Sequence, residues 1–156
     1  MHPNSMRLMR YFRNKCLKPL DAEITVLDIG SKRLKRSHNT YSRLFPPPFK
    51  YSGMDLEAGK NVDIVGYESI MGTYDVVISG QVMEHISYPW EWLANLKQYF
   101  TKYICIIAPN TWGEHRYPID TFRYFPDGMR ALFDYVGIKE VEIKKSGNDT
   151  LGIGTK

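Results

Sequence analysis

The stretch "EITVLDIG", residues 23–30, decides how this chain folds. It is a largely apolar run that closes with an acid, Asp28, and a glycine, Gly30. Because apolar side chains point to both faces of such a strand, both faces must be covered, which is typical of a central strand in a parallel sheet. Gly30 has no Cβ, so the chain can turn sharply there and let a ligand approach the backbone.

Six further segments have the pattern of strands, and helical segments occur between them. The predicted strands cover residues 49–57, 61–65, 74–80, 102–109, 139–145 and 150–155. A short helix is expected over 39–45, a second begins near Pro89, and a third covers 126–136, where apolar residues recur with a helical period. This order predicts an α/β fold with a single Rossmann-like, doubly wound and mostly parallel sheet of seven strands.

The last two predicted strands are joined only by "SGND", residues 146–149. So short a link joins antiparallel neighbours, so we expect a C-terminal antiparallel hairpin, with one antiparallel strand at the edge of the sheet. We divide the chain into an N-terminal arm over residues 1–22, helical over 5–14, and one domain over residues 23–156. A chain of 156 residues has room for a single domain of this kind.

Composition narrows the class of protein. The longest apolar segment lies around residues 103–109, far short of a membrane span, and the first residues lack the apolar core of a signal peptide. Two cysteines make no disulfide framework, so we expect a cytoplasmic protein with no membrane partner. The net charge of +4 comes from basic residues concentrated near the start. They form either a solvated face or a site for an anionic substrate or nucleic acid, although no nucleic-acid motif accompanies them.

The acids that end the first two predicted strands suggest a nucleotide-type cofactor. Asp55 lies 25 residues after Gly30, close to the spacing of a carboxylate that binds ribose hydroxyls. The alternative is an aspartate that caps a turn. A dinucleotide loop needs two further glycines for its pyrophosphate, and this sequence has residues such as Lys32 and Leu34 there instead. The pattern therefore favours a cofactor without phosphates.

Five segments, taken together and in order, resemble a known family. They are "VLDIGS" (26–31), "YSGMDLE" (51–57), "YDVVISGQVMEHI" (74–86), "YICIIAPN" (103–110) and "HRYPIDTFRYFPDGMRALF" (115–133). This combination is similar to class I S-adenosylmethionine-dependent methyltransferases, above all to a small bacterial subgroup with a "DIGS" first motif. The resemblance extends over residues 23–156 and implies the seven-stranded sheet with its terminal hairpin.

The resemblance implies S-adenosylmethionine as the cofactor and assigns residues to it. The implied cofactor-binding residues are Asp28, Gly30, Ser31, Asp55, Leu56, Ser79, Gly80 and Gln81. Asp55 would bind the ribose hydroxyls, and Leu56 would lie beside the adenine. An acid that contacts the adenine after the third strand has no clear match, because Asp63 falls inside the strand pattern.

The segment 110–125 carries the densest chemistry in the chain. The candidate substrate-binding residues are Glu84, Arg116, Tyr117, Asp120 and Arg123. An arginine here could bind a carboxylate or phosphate through two parallel hydrogen bonds. The alternative is that Arg123 pairs with Asp120 and fixes the loop, and both can hold, since a rigid loop makes a better pocket.

His85 and His115 are the candidate catalytic bases. A base with a pKa near neutrality assists transfer to a hydroxyl acceptor. The alternatives are a structural histidine at 85 and an exposed loop histidine at 115. Glu84 and His85 are adjacent, but two neighbouring residues do not specify a metal site, so the sequence predicts none.

The sequence therefore predicts a methyltransferase that transfers a methyl group to a small-molecule or sugar-like acceptor by direct displacement. Methylation of a nucleic acid or protein is the alternative that the basic residues suggest. A non-catalytic binding module of the same fold is a further alternative, because the glycine loop is incomplete. A nicotinamide-dependent oxidoreductase is disfavoured by the missing glycines and the closing hairpin. Oligomeric state is left open.

Overall fold

The computed structural model describes residues 2–17, 23–35 and 39–156. Seven strands are present: β1 (Thr25–Ile29), β2 (Lys50–Asp55), β3 (Ile64–Val65), β4 (Tyr74–Gly80), β5 (Phe100–Pro109), β6 (Lys139–Ser146) and β7 (Asp149–Thr155). The helices are α1 (Pro3–Cys16), α2 (Pro89–Leu96) and α3 (Pro126–Tyr135), with 3₁₀ turns at Tyr41–Leu44, Tyr67–Ser69 and Met83–His85. All seven predicted strands and the helices expected near Pro89 and over 126–136 are present, so the predicted α/β class is confirmed.

The seven strands form one sheet in the order β3-β2-β1-β4-β5-β7-β6. Strand β1 pairs in parallel with β2 on one side and β4 on the other, which places Asp28 between Gly53 and Ile78. Strand β7 is antiparallel to both of its neighbours, β5 and β6. The expected C-terminal hairpin is therefore confirmed. The prediction that the antiparallel strand lies at the edge of the sheet is wrong. Strand β7 folds back into the sheet beside β5, and β6 forms the edge.

Apolar side chains pack against both faces of the sheet. Helices α2 and α3 cover one face, where Leu93, Phe100 and Phe133 are buried with Leu27 of β1. Helix α1 covers the other face, and its buried residues join a second core that contains Val26 of β1. Burial on both sides explains the near-continuous apolar pattern of β1.

The connections around β2 contain no α-helix in the described residues. Between β1 and β2 the chain forms only the 3₁₀ turn Tyr41–Leu44, at the place of the helix expected over 39–45. Tyr41 is fully buried and its hydroxyl lies 2.5 Å from the Ser5 hydroxyl of α1. A Cβ on Gly80 would collide with that same Tyr41 hydroxyl, so Gly80 allows the turn to pack against the end of β4. Part of the basic run, at 36–38, lies outside the described residues.

The N-terminal arm folds onto the sheet as helix α1, which is longer than the helix expected over 5–14. Met9 and Phe12 have no exposed surface and lie in the core beside β4 and β5. Residues 18–22, at the predicted domain boundary, lie outside the described residues. Across the part of the chain that the structure describes, no helix is long and apolar enough to cross a membrane.

Replacing Phe12 by alanine tests the packing of α1. The Phe12 ring is fully buried, so the change should lower the free energy of unfolding by about 3–5 kcal/mol. Arg10→Ala, on the exposed side of the same helix, is the matched control and should change it by less than about 0.5 kcal/mol. Urea unfolding of the two variants measures both values. Equal stabilities would mean that α1 is not part of the core.

Candidate functional site

Most of the candidate site residues lie at one edge of the sheet. Strands β1, β2, β4 and β5 are mutually parallel, so their carboxyl ends meet at the same edge. Asp28, Asp55 and Gly80 lie at or next to these ends, and the 110–125 loop follows β5 directly. In open α/β sheets this edge is where ligands bind.

Asp28 is buried, with 1% of its surface exposed. Its Oδ2 accepts a hydrogen bond of 2.5 Å from the hydroxyl of Tyr51 on β2, and Asn61 Nδ2 donates to the same hydroxyl over 3.0 Å. Its Oδ1 accepts nothing from the described residues. Burial raises the pKa of Asp28 to about 7, against the opposing effect of the Tyr51 hydrogen bond. The site therefore contains an acid that titrates near neutrality and has one unsatisfied oxygen.

Asp55 at the end of β2 holds the loop that follows β1. Its Oδ2 accepts a hydrogen bond of 3.0 Å from the backbone N–H of Lys32, and its Oδ1 is 3.4 Å from the Glu57 N–H. The Lys32 ammonium pairs with Glu57 at 2.6 Å. Leu56, the residue assigned beside the adenine, is 67% exposed. One carboxylate oxygen of Asp55 is thus engaged by the loop and the other is nearly free.

Three of the small residues assigned to the cofactor make contacts within the protein. Gly30 has a φ of +80°, a backbone conformation that favours glycine, and the Val82 side chain fills the space where its Cβ would be. The Ser31 hydroxyl donates to the Asn61 carbonyl over 2.7 Å, and the Ser79 hydroxyl donates to the Ile29 carbonyl over 2.8 Å. These contacts fix the ends of β1 and β4 relative to the turn around Asn61.

Gln81 is fixed by the buried carboxylate of Asp149, a residue that no sequence pattern identified. Its Nε2 donates to Asp149 Oδ1 over 3.0 Å, and Trp112 Nε1 donates to the same oxygen over 3.2 Å. Asn4 of α1 donates to Asp149 Oδ2 over 2.7 Å. His2, just before α1, stacks on the Trp112 ring with centroids 4.8 Å apart. Helix α1, β4, β7 and the 110–125 loop therefore meet at Asp149.

Glu84, His85 and His115 form a compact polar centre beside these residues. Glu84 Oε1 is 3.8 Å from Nε2 of His85 and 3.8 Å from Nε2 of His115. The His85 Nδ1 lies 2.6 Å from the Ile119 carbonyl, and the His115 Nδ1 lies 3.1 Å from the Gly113 carbonyl. A carbonyl can only accept, so each Nδ1 is the donor, and in the neutral ring the Nε2 that faces Glu84 is an acceptor.

Burial controls the protonation of this centre. Glu84 has no exposed surface, and burial raises the pKa of its carboxyl group to about 8. Burial also lowers the pKa of His85, opposed by its hydrogen bond to Ile119, which favours the neutral imidazole. Neither carboxylate oxygen of Glu84 has a hydrogen-bond donor among the described residues. The centre therefore combines an unsatisfied buried acid with a histidine whose pKa favours the neutral form.

The 110–125 loop is fixed by Arg123. Its guanidinium donates to both oxygens of Asp120, over 2.5 Å and 2.6 Å, and also to the carbonyls of Trp112 and Gly113. The Arg123 guanidinium holds the pKa of Asp120 well below its usual range. Arg116 is exposed and pairs with Glu114 of the same loop. The pairing of Arg123 with Asp120, the alternative raised from the sequence, is thus present in the structure.

Two surface hollows differ in their position relative to the site. One of about 330 Å³ lies on the 110–125 loop and is lined by Trp112, Glu114, Asp120, Thr121, Phe122 and Arg123. A larger one of about 700 Å³ lies between α3 and the start of β6. The hollow between α3 and β6 is at the opposite edge of the sheet from the polar centre. Of these two hollows, only the one on the 110–125 loop is next to that centre.

No protein-family profile and no curated protein sequence matches this chain. Solved structures match its fold. A SAM-dependent methyltransferase from Aquifex aeolicus is 18% identical, with a TM-score of 0.66, over 98% of this chain and 92% of that one. The magnesium protoporphyrin IX methyltransferase of Synechocystis PCC 6803 is 10% identical, with a TM-score of 0.65, over 96% and 80%. The citrinin polyketide synthase CMeT domain is 11% identical, with a TM-score of 0.68, and this chain spans 52% of it.

This chain has the fold of class I S-adenosylmethionine-dependent methyltransferases. The fold expected from the sequence resemblance is therefore confirmed. In this methyltransferase fold the carboxyl ends of β1, β2 and β4 carry Asp28, Asp55 and the segment that leads to Glu84. The polar centre and the two acids consequently lie on the side of the sheet where ligands of such folds bind.

Several residues that contact the site residues cannot be identified from the sequence alone. Tyr51 lies within a predicted strand, and no local signal indicates that its hydroxyl pairs with Asp28. Asp149 falls in a turn-like sequence, which conceals that it is buried and accepts three hydrogen bonds. His115 was singled out, but its distance from Glu84 could not be read from residues separated along the chain. His115 and Glu84 lie close together only because the chain between them folds back on itself.

Replacing Asp28 by asparagine tests the buried acid. The folded protein keeps the Asp28 proton up to about pH 7, whereas an unfolded chain releases it near pH 4. Between these values the folded state binds more protons than the unfolded state, so stability falls as pH rises. Asp28→Asn should therefore weaken this fall, and the variant should unfold at higher urea than the native protein at about pH 8.

The matched control is Asp134→Asn, at an exposed position of α3. It should reproduce the pH dependence of the native protein between about pH 5 and pH 8. Urea midpoints measured at several pH values give both profiles. If Asp28→Asn follows the native profile as closely as the control does, Asp28 is not the group that loses stability as pH rises.

Proposed function

We propose that this chain is an S-adenosylmethionine-dependent methyltransferase that acts on a small, sugar-like acceptor. The observation that carries the proposal is the meeting of Asp28, Asp55 and the Glu84–His85–His115 centre at one edge of a sheet with this fold. Acids at the ends of adjacent strands supply acceptors for a polar cofactor, and the centre supplies proton-accepting groups next to them. Neither feature is needed for a purely structural domain.

The chemistry of the residues at this edge fits an adenosyl cofactor. Its ribose hydroxyls and its cationic amino group are donors, and donors need acceptors. Asp55 Oδ1 has only a long 3.4 Å contact, and Asp28 Oδ1 is buried with no described donor. Unsatisfied buried acceptors are costly in a folded protein, so a ligand that donates to them is favoured. Asp28 and Asp55 would therefore hold the cofactor.

When bound, S-adenosylmethionine supplies a methyl group on a positively charged sulfur, which a nucleophile displaces directly. The protein's part is to hold the acceptor in line and to remove its proton. His85 Nε2 and His115 Nε2 each present a lone pair, because each Nδ1 proton is given to a carbonyl. A positioned general base of this kind contributes about 10²–10⁴-fold to the rate of the reaction.

The acceptor class is inferred from the hollow on the 110–125 loop. Its volume of about 330 Å³ suits a small molecule rather than a polymer. Trp112 and Phe122 supply aromatic surface, and Glu114, Asp120 and Arg123 supply polar groups. An aromatic wall with polar groups around it suits a ring that carries hydroxyls. The bidentate Arg123–Asp120 pair keeps this wall rigid.

A second candidate function is a binding module that keeps this fold and has lost the cofactor. Two contacts favour it. The Lys32 N–H already occupies one oxygen of Asp55, and Val82 fills the space over Gly30. These contacts must loosen if a cofactor is to approach the backbone there. Binding of a cofactor analogue separates the two candidates.

The thermal midpoint with S-adenosylhomocysteine tests cofactor binding. A ligand at 100 times its dissociation constant should add about 2.7 kcal/mol to the free energy of unfolding, which raises the midpoint. Asp55→Asn removes the charge that accepts the ribose hydroxyls and should abolish this rise. Asp127→Asn, at an exposed side chain of α3, is the control and should keep it. No rise in the native protein excludes the methyltransferase, and a rise in Asp55→Asn excludes the ribose role.

The acceptor class is tested with cofactor labelled on its methyl group. Label should enter hydroxylated small molecules of the host extract and should be absent from its RNA, DNA and protein fractions. Arg123→Lys replaces the planar guanidinium, cannot bind Asp120 through two parallel hydrogen bonds, and should reduce labelling. Its cofactor-induced thermal shift should stay unchanged, which separates acceptor binding from cofactor binding. Label found in a macromolecular fraction would contradict the small-molecule assignment.

A further inference from the structure

Glu84, His85 and His115 offer one carboxylate and two imidazole nitrogens to a common point. Their ligand atoms all lie within 4.8 Å of one another, and Oε1 of Glu84 is 3.8 Å from each Nε2. Glu84 and His85 lie on the 3₁₀ turn after β4, and His115 lies on the loop after β5. We propose that these three side chains bind a single divalent transition-metal ion.

The separations suit such an ion. Zinc lies about 2.0–2.2 Å from imidazole nitrogen and carboxylate oxygen, which puts the ligands of a tetrahedral site about 3.3–3.6 Å apart. The two measured separations of 3.8 Å exceed this range by only a few tenths of an ångström. The third separation, between the ligand atoms of His85 and His115, lies within 4.8 Å, so the two rings must rotate towards each other to bind one ion.

The two histidines are already oriented as metal ligands. The Ile119 carbonyl accepts the Nδ1 proton of His85, and the Gly113 carbonyl accepts that of His115. This leaves each Nε2 as the atom that can coordinate. Metal-binding histidines almost always give their other N–H to a carbonyl or carboxylate in this way, which fixes the tautomer and the ring. Asp120 Oδ2 lies a further 3.8 Å from His115 Nδ1.

The buried state of Glu84 is an independent observation that points to a cation. Its side chain has no exposed surface, and no described residue donates a hydrogen bond to either oxygen. A polar group in that position destabilises the folded protein unless something compensates it. The two imidazole Nε2 atoms lie 3.8 Å from its Oε1, and in the neutral ring each of them is an acceptor. A positive ion between the three groups satisfies all of them.

The ligand set selects the class of metal. Two imidazoles and one carboxylate suit Zn²⁺, Fe²⁺, Co²⁺ or Mn²⁺, whereas Ca²⁺ and Mg²⁺ prefer oxygen ligands alone. The His115 side chain is 45% exposed, so the ion would face solvent on that side. Three protein ligands leave at least one position for a water or a substrate oxygen, as in catalytic metal sites.

A metal here would also deepen the proposed methyl transfer, and this step rests on that function. An acceptor hydroxyl that coordinates the ion loses its proton more readily, because the metal stabilises the resulting oxygen anion. The proton passes to solvent water, and the oxygen is left as the nucleophile. His85 and His115 then act as ligands of the ion and not as free bases.

The test is a titration of chelator-treated full-length chain with Co²⁺ alone and with Zn²⁺ alone. Co²⁺ should give visible ligand-field absorption that saturates at one equivalent, and Zn²⁺ should displace it. His115→Ala removes a partly exposed ligand, so it should fold and yet bind about 100-fold more weakly or worse, since even outer-shell changes cost 10–100-fold. Glu84→Gln keeps the shape of the buried side chain and should weaken binding similarly.

His2→Ala is the matched control, because His2 lies outside the cluster and stacks on Trp112. It should bind Co²⁺ as the native protein does. Absence of saturable binding to the native chain would overturn the proposal, as would equal binding by His115→Ala and the native protein. These measurements need no cofactor. A failed metal titration with a normal S-adenosylhomocysteine shift therefore rejects the metal site and leaves the methyltransferase standing.

Discussion

The carboxylate of Asp149 has no exposed surface, so its oxygens must find their hydrogen-bond donors inside the protein. Those donors come from three different parts of the chain: Asn4 in α1, Gln81 after β4 and Trp112 after β5. Losing any of these donors leaves a buried carboxylate oxygen with fewer hydrogen bonds, which is costly. These hydrogen bonds to Asp149 link helix α1 to strand β7 and fix the position of Trp112 near the start of the 110–125 loop.

The position of the polar centre follows from that anchoring. From Trp112 the loop crosses back over the turn at Glu84, where the Thr121 N–H donates to the Glu84 carbonyl over 2.7 Å. His85 in turn donates to the Ile119 carbonyl of the same loop. These contacts to backbone carbonyls hold the loop that carries His115 close to Glu84. A site held by its scaffold loses little entropy when it binds, which favours affinity.

Local pattern was enough to predict the strands, because their apolar runs and the turn residues between them lie next to one another in sequence. The place of β7 between β5 and β6 was not predictable, because a short link fixes only that two strands are neighbours. Asp28 and Asp55 were identified from their positions at strand ends. Their partners, the Tyr51 hydroxyl and the Lys32 amide, depend on how the loops cross the sheet. For the same reason, the sequence did not predict that His115 lies close to Glu84.

The insertion of β7 beside β5 has a consequence for the order in which the molecule assembles. Strand β5 carries the 110–125 loop, and its pairing from Ile104 to Pro109 is completed only by residues 149–154. Asp149, which anchors Trp112, belongs to that same late strand. During synthesis the ribosome releases β1, β2 and β4 long before β7, so the sheet can begin to form while the loop has no anchor. The 110–125 loop is therefore among the last parts of the protein to be organised, because a nascent chain without β7 lacks the residue that anchors Trp112.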